Sequence, residues 1–351
     1  MMRTSRPTKY MPTCCTSPCR SASQVNCVYP ASVPNKAALP CRTPRRCARI
    51  RDVIWPRAAL WSAIAFVHVR HLRPRMGTKQ TENSVETHAD AVPVFDEGAG
   101  RPRMVARIAF LFFWTLGWFG VRLAVFPVAV IGGPAERRLR TAVLRAWAAG
   151  VCAVMSARIA VRGPLPKPPF FLVSNHLGYF DVIVYARLLG CVFVSMAEVG
   201  TWPLIGTLAR GLNTLFIDRK RRRDAARVND EIRQTIEKGH GLLLFPESTT
   251  TYGDKLLPFH GALLQPAIDL GRPVHYAAIS YATAPGQASA GHAICWVDDT
   301  PFATHALRLL RLRRFDVTVT FGASPLIEND RKLLATALHT AVESIVLETK
   351  G

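Results

Sequence analysis

The sequence predicts an α/β fold built on a mixed, largely parallel sheet flanked by helices, with an N-terminal membrane-binding helix or helical hairpin in front of it. Three observations predict it. From about Pro166 onward, short strand-like runs alternate with helix-like stretches. Those helical stretches carry apolar stripes at helical spacing and stop at glycines. Ahead of them lies an uncharged, aromatic-rich run, Ile108–Val121.

Residues 1–75 are rich in Pro, Ser, Arg and Cys and show no sustained periodicity, which reads as a basic leader or an over-extended gene start. Met76 opens a polar linker that runs to residue 103. Residues 104–160 read as membrane-associating helices. Ile108–Val121 is followed by Arg122 and a second apolar run broken by Pro127, then by the Ala/Leu/Trp-rich Thr141–Met155. Arginines flank the segment on both sides, so it suits one straight span or a two-helix hairpin in a single leaflet.

Residues 161–351 make up the α/β domain. The expected strands are Phe170–Ser174, Cys191–Ser195, Thr214–Asp218, Gly241–Phe245, Val274–Ser280, His292–Val297 and Asp316–Phe321. Asp224–Lys238 puts Ala225, Val228, Ile232 and Ile236 on one helical face and stops at Gly239; Ala262–Leu270 stops at Gly271. The last helix, about Asp330–Leu347, carries Leu334, Leu338, Ala341 and Ile345. No internal repeat is evident.

The chain carries a net charge of +21, which invites a nucleic-acid reading, but the charge is unevenly placed. Residues 1–75 hold 14 Lys and Arg against the single acid Asp52, so most of the basicity lies in the leader. No basic groove interleaved with aromatics is recognisable. Six of the nine cysteines precede residue 50, without zinc-ligand spacing. Cys152, Cys191 and Cys295 sit singly in apolar runs, as in a reduced core.

Three segments carry chemistry. In SNHLGYFD, His176 and Asp181 lie five positions apart. Residues so spaced on a straight helix diverge by about 140°, so the pair can meet only with His176 in a turn and Asp181 on the helix behind it. The strand ending at Ser174 and the turn-permitting Gly178 provide for that arrangement, in which Asp181 holds one ring nitrogen and leaves the other as a base. In LFIDRKRRR, Arg219 directly follows a strand, where a guanidinium can hold a phosphate; the run Lys220–Arg223 is a solvated basic face or touches anionic headgroups. In LLLFPESTTTYG, a strand leads into Glu247 and a hydroxyl-rich loop, Ser248–Thr249, as expected of a ligand loop at a strand end. Glu247 can orient Arg219 or accept from a substrate hydroxyl. The G-x-S-x-G elbow of hydrolases is missing around Ser174.

Taken in order, these segments resemble the 1-acylglycerol-3-phosphate acyltransferase family of lysophospholipid acyltransferases. The resemblance rests on Asn175-His176…Asp181, on Phe216-Ile217-Asp218-Arg219, on Phe245-Pro246-Glu247-Ser248-Thr249 and on Pro273-Val274…Ile279, and it covers about residues 104–350. Two positions depart from the family pattern: Ser248 replaces the usual Gly, and Met196 stands where many bacterial relatives have Lys.

The resemblance implies the glycerolipid acyltransferase fold and acyl transfer from acyl-CoA or acyl carrier protein to the free hydroxyl of 1-acylglycerol-3-phosphate, giving phosphatidate. It implies His176 and Asp181 as catalytic residues, and Asn175, Arg219, Glu247, Ser248 and Thr249 as substrate-binding residues. No metal or bound cofactor is implied, because a thioester is already activated and a positioned base suffices. The implied partners are the lyso-lipid, the thioester donor and membrane lipids rather than nucleic acid, and the implied location is the cytoplasmic face of the inner membrane. Two other readings compete: an O-acyltransferase for another lyso-lipid such as lyso-ornithine lipid, and a non-catalytic basic membrane- or nucleic-acid-binding protein.

Overall fold

The computed structural model describes residues 100–350 apart from 125–132, 203–204, 212, 222 and 298–299. The leader, residues 76–99 of the linker and Pro127 lie outside the described residues.

Helix α1 (Arg101–Ala124) has two faces. Outward it presents Val105, Ile108, Phe112, Leu116, Phe119 and Leu123, all exposed and spaced as one helical stripe. By length and composition it is apolar enough to cross a membrane, and only 6% of its apolar window is buried. Its inner face packs on α2 (Gly133–Val154). There Trp114 Nε1 donates to the Trp147 carbonyl at 3.0 Å and Trp147 Nε1 to Thr115 Oγ1 at 3.2 Å. Gly150 makes this contact possible, since a Cβ there would stand 2.3 Å from the Trp114 ring. The buried Arg107 anchors the other end of α1, donating to the carbonyls of Leu310, Leu312 and Arg313 and to Ser156 Oγ.

Helix α2 departs from the expected membrane hairpin. Its apolar residues Leu144, Ala148, Val151 and Cys152 recur at helical spacing and are buried in the domain core. Arg138 and Arg145 lie on its exposed side. That is the pattern of a core helix with one solvated face.

The sheet has seven strands: β1 (Ala157–Arg162), β2 (Phe171–Ser174), β3 (Val192–Met196), β4 (Leu215–Ile217), β5 (Leu242–Leu244), β6 (Val274–Thr283) and β7 (Phe315–Phe321). Their spatial order is β1-β7-β6-β2-β5-β3-β4. All neighbouring pairs are parallel except β6–β7. Helices cover both faces, as a mostly parallel sheet requires. One face buries α2 and α3 (Tyr179–Leu189), with Phe180, Val184 and Tyr185 in the core. The other buries α6 (Asp224–Glu237) and α10 (Arg331–Lys350) through Val228, Ile232, Ile236, Leu334 and Leu338. Two five- and seven-residue helices, α4 (Ala197–Thr201) and α5 (Ile205–Gly211), join β3 to β4. The stretch expected as Ala262–Leu270 divides into a 3-10 turn, Gly261–Leu263, and α7 (Gln265–Asp269).

Two strand expectations need correction. His292–Val297 is not a strand: α8 (Ala290–Ala293) covers its start and irregular chain the rest. β6 already has β2 and β7 as its neighbours, so the hydrophobicity of Ile294 and Cys295 reflects burial in the core rather than pairing. Conversely, β1 follows α2 after two residues, in a stretch read from sequence as the end of the helical segment. It pairs with β7 from Ala157 against Phe315 to Arg162 against Thr320.

Candidate active site

Because β2, β5, β3 and β4 run parallel, the loops that leave their C-terminal ends gather at one edge of the sheet, where open α/β sheets place ligands. His176 follows β2, Met196 closes β3, Arg219 follows β4 and Glu247 follows β5. The three chemistry-bearing segments therefore share one edge.

His176 sits in the turn between β2 and α3, with Asp181 in the first turn of α3. Nδ1 of His176 lies 2.8 Å from Asp181 Oδ2. The same oxygen accepts from the backbone N–H groups of Leu177 at 2.7 Å and Gly178 at 3.0 Å. The His176 side chain is 21% exposed and the Asp181 side chain fully buried. A carboxylate at Nδ1 fixes the proton there and leaves the lone pair on Nε2. Gly178 does not adopt the unusual turn conformation expected of it, for its backbone is extended (φ 170). It is needed for close approach, since a Cβ would stand 3.2 Å from the Trp296 backbone nitrogen, which donates to the Leu177 carbonyl.

The Phe-Pro-Glu segment locks the histidine from below. The imidazole stacks on the Phe245 ring at 4.0 Å and 14°. Glu247 is buried, and its two carboxylate oxygens accept from the backbone N–H groups of His176 at 2.8 Å and Leu257 at 2.9 Å. Burial pushes this carboxyl above its ordinary pKa, opposed by those two hydrogen bonds. Its oxygens thus face the backbone rather than Arg219 or a substrate. Asn175 is likewise turned inward: Nδ2 donates to the Ile279 carbonyl at 3.0 Å and Oδ1 accepts from the Ile279 N–H at 2.8 Å. The side-chain amide mimics a peptide and extends the β2–β6 ladder one step past Ser174–Ala277.

Arg219 is exposed and donates through Nη1 to the Ser248 carbonyl, which joins the second segment to the third. Ser248 stands at φ 64, in the left-handed region where the family's usual Gly carries no penalty. Thr249 is exposed at the tip of the loop. Just after the tip the loop is pinned by Thr250 Oγ1 on the Trp296 carbonyl and by Thr251 N–H on the His176 carbonyl at 3.1 Å. Met196 is 39% exposed at the same sheet edge. Cys191 and Cys295 are buried; burial pushes the Cys191 thiol up strongly and that of Cys295 up to about 12, as suits core side chains.

Sequence reasoning missed two contributors. Tyr281 of β6 donates its hydroxyl to Asp181 Oδ1 at 2.6 Å, and its ring lines a cavity of about 350 Å³ together with Arg162, Asn175, Leu177 and Tyr252. An aromatic group of Tyr179, Trp202, Trp296 and Phe302 packs beside the histidine turn, with Tyr179 and Phe302 centroids 4.9 Å apart. Tyr281 comes from a strand 100 positions away, so no spacing pattern announces it.

Comparison with known proteins agrees with this geometry. The sequence pattern of the Acyltransferase family matches residues 158–280, which hold the segments of His176, Arg219 and Glu247. The lyso-ornithine lipid O-acyltransferase of Pseudomonas aeruginosa is 36% identical over 188 residues, covering 52% of this chain and 69% of its own. The chain belongs to the lysophospholipid acyltransferase family. Another relative, the 1-acyl-sn-glycerol-3-phosphate acyltransferase of Neisseria meningitidis, is 28% identical over 221 residues, covering 62% of this chain and 85% of its own. The crystal structure of the 1-acyl-sn-glycerophosphate acyltransferase from Thermotoga maritima superposes with a TM-score of 0.52 over 71% of this chain and 98% of its own. At 17% identity it supports the acyltransferase fold.

Proposed function

We propose that the protein transfers an acyl group from a soluble thioester, acyl-CoA or acyl carrier protein, to the free hydroxyl of a lyso-lipid with an anionic headgroup. The observation that carries this reading is the His176–Asp181 pair, one partner accessible and the other buried, at the strand-end edge of the sheet. Nε2 of His176 takes the hydroxyl proton as the oxygen attacks the thioester carbonyl. The tetrahedral adduct then expels the thiolate, which takes the proton back from the imidazolium. Asp181 supports that cation. Arg219, with the exposed loop at Ser248 and Thr249, holds the anionic headgroup. Glu247 and Asn175 act by fixing the backbone around His176 rather than by touching substrate. The chemistry needs no metal or protein nucleophile.

1-Acylglycerol-3-phosphate is the acceptor that the segment pattern favours. A second acceptor, lyso-ornithine lipid, is supported by the 36% identity to the Pseudomonas aeruginosa enzyme; three further lyso-ornithine acyltransferases match at 33%, 31% and 28%, and 1-acyl-sn-glycerol-3-phosphate acyltransferases at 27%, 28% and 30%. Both acceptors present an anion to Arg219. The outward stripe of α1 supports attachment to one leaflet, on the cytoplasmic face of the inner membrane where thioester donors are found.

Purified full-length protein, offered a panel of lyso-lipids with labelled acyl-CoA and acyl carrier protein, tests the reading. Acylation of a phosphate- or ornithine-bearing lyso-lipid is expected, with Arg219→Ala raising KM about tenfold or more. No transfer to any lyso-lipid would refute it.

A further inference from the structure

Among the described residues, the carboxylate of Asp181 is held by four donors from two parts of the chain. Oδ2 takes His176 Nδ1, Leu177 N–H and Gly178 N–H, all from its own turn. Oδ1 takes one donor, the Tyr281 hydroxyl, at 2.6 Å. Tyr281 therefore accounts for the half of the carboxylate that faces away from the histidine. Its neighbour two positions back, Ile279, is the residue that Asn175 grips through both backbone groups. Residues two apart on a strand point to the same face, so the Asn175 clamp sets the height of β6 at which the phenol meets Asp181.

We infer that Tyr281 is a positioning residue for acyl transfer, a fixed donor that orients the Asp181 carboxylate toward His176 while the imidazolium forms. The inference rests on the general-base role of His176 proposed above. The phenol is suited to a permanent donor's part. Burial and the adjacent Asp181 push its own ionisation well above the usual tyrosine range, so it keeps its proton wherever the enzyme works. Without the hydroxyl, Oδ1 faces the protein interior with no donor. The carboxylate is then free to turn away from the imidazole. The loss falls on the step in which the histidine becomes charged, and the acceptor site at Arg219 is untouched.

The test is a double-mutant cycle in the full-length protein, using Tyr281→Phe, Asp181→Asn and the pair, assayed with the acyl donor and acceptor that the wild type turns over. Tyr281→Phe removes one oxygen atom and is expected to lower kcat about tenfold or more while KM changes by less than about twofold. In the Asp181→Asn background the same substitution is expected to lower kcat by less than about threefold, because the charge it serves is gone. An unchanged kcat for Tyr281→Phe overturns the inference. So does a loss of equal size in both backgrounds, which would mark Tyr281 as acting by another route. Should Tyr281→Phe melt too early to assay, 3,5-difluorotyrosine introduced at position 281 alters only the acidity of the phenol. A change in kcat of at least about twofold at constant KM then supports the role, and none refutes it. His176→Ala serves as the separate control: if it stays active, the general-base reading fails, whatever Tyr281 does.

Discussion

His176 and Asp181 are five positions apart in sequence and 2.8 Å apart in space, because the chain turns between them: the histidine closes a strand and the aspartate opens a helix. The arrangement gives one oxygen of a buried carboxylate three donors, and all three belong to the turn itself. Asp181 thus shapes the turn as well as pairing with the ring. His176→Ala is expected to lower kcat by about 10²–10⁴ with little change in acceptor KM. Asp181→Asn is expected to match it in kcat and also to melt earlier, since an amide cannot accept from three N–H groups at once. Steady-state kinetics and thermal melting of both variants check this, and an active His176→Ala refutes the assignment.

Ser248 occupies a left-handed conformation at φ 64 in which a side chain costs about 1–2 kcal/mol. A glycine there loses about 0.5–1 kcal/mol of that gain through its freer unfolded chain. Ser248→Gly is therefore expected to stabilise the protein by about 0.5–1 kcal/mol, a rise in Tm of about 1–3 °C. Calorimetry of the variant decides it; a lower Tm would mean that the hydroxyl holds the loop.

Glu247 predicts a pH dependence. Its folded-state pKa is raised by burial, so between the ordinary glutamate value and the raised one the native state binds a proton that the unfolded state has lost. This group's contribution to stability is greatest below the ordinary value and is lost as pH rises through the raised one. Glu247→Gln removes that component and flattens the Tm profile at pH values above the ordinary glutamate range. It also leaves one of the two backbone N–H groups without an acceptor, at about 1–3 kcal/mol. An unaltered slope in the variant would assign the dependence to other groups.

The α1 stripe can be tested without touching the core. Ile108, Phe112 and Leu116 all face outward, so the triple change to Ser is expected to leave the fold intact. Each side chain forfeits about 1.5–3 kcal/mol of burial in lipid. The variant is expected to move from the floating vesicle fraction to the bottom of the gradient in flotation assays. Unchanged flotation would place the membrane contact elsewhere. Removing residues 108–155 altogether is not equivalent, because Leu144, Ala148 and Val151 of α2 belong to the core.

Much of this was legible before the structure. Six of the seven strands, α6 and α10 follow from short apolar runs and helical stripes, since period and burial leave the same mark on a sequence. The histidine turn follows from the spacing taken together with the strand that ends at Ser174. The errors have a common origin, in that hydrophobicity reports burial but not the partner that provides it. Ile294 and Cys295 are apolar because they line a core, and α2 is apolar on one face for the same reason. Likewise Asn175 and Glu247 are motif residues whose side chains turn away from the open edge to hold backbone. A motif marks that a residue matters, and only its hydrogen bonds show whether it faces ligand or scaffold. Tyr281 lies beyond pattern reading because strand register, not sequence distance, brings it to Asp181.

Helix α9 (Phe302–Arg311) links two regions described separately above. Its C-terminal carbonyls and those just beyond, Leu310, Arg311, Leu312 and Arg313, receive their donors from Arg103 and Arg107 of α1. At its start, Phe302 leans on Tyr179, three residues from His176. An anchor of this kind is not interchangeable. A foreign lipid-binding segment spliced in place of α1 could hold the protein on a bilayer, yet it would strip four carbonyls of their partners at the foot of a strut about 15 Å long whose far end braces the histidine turn.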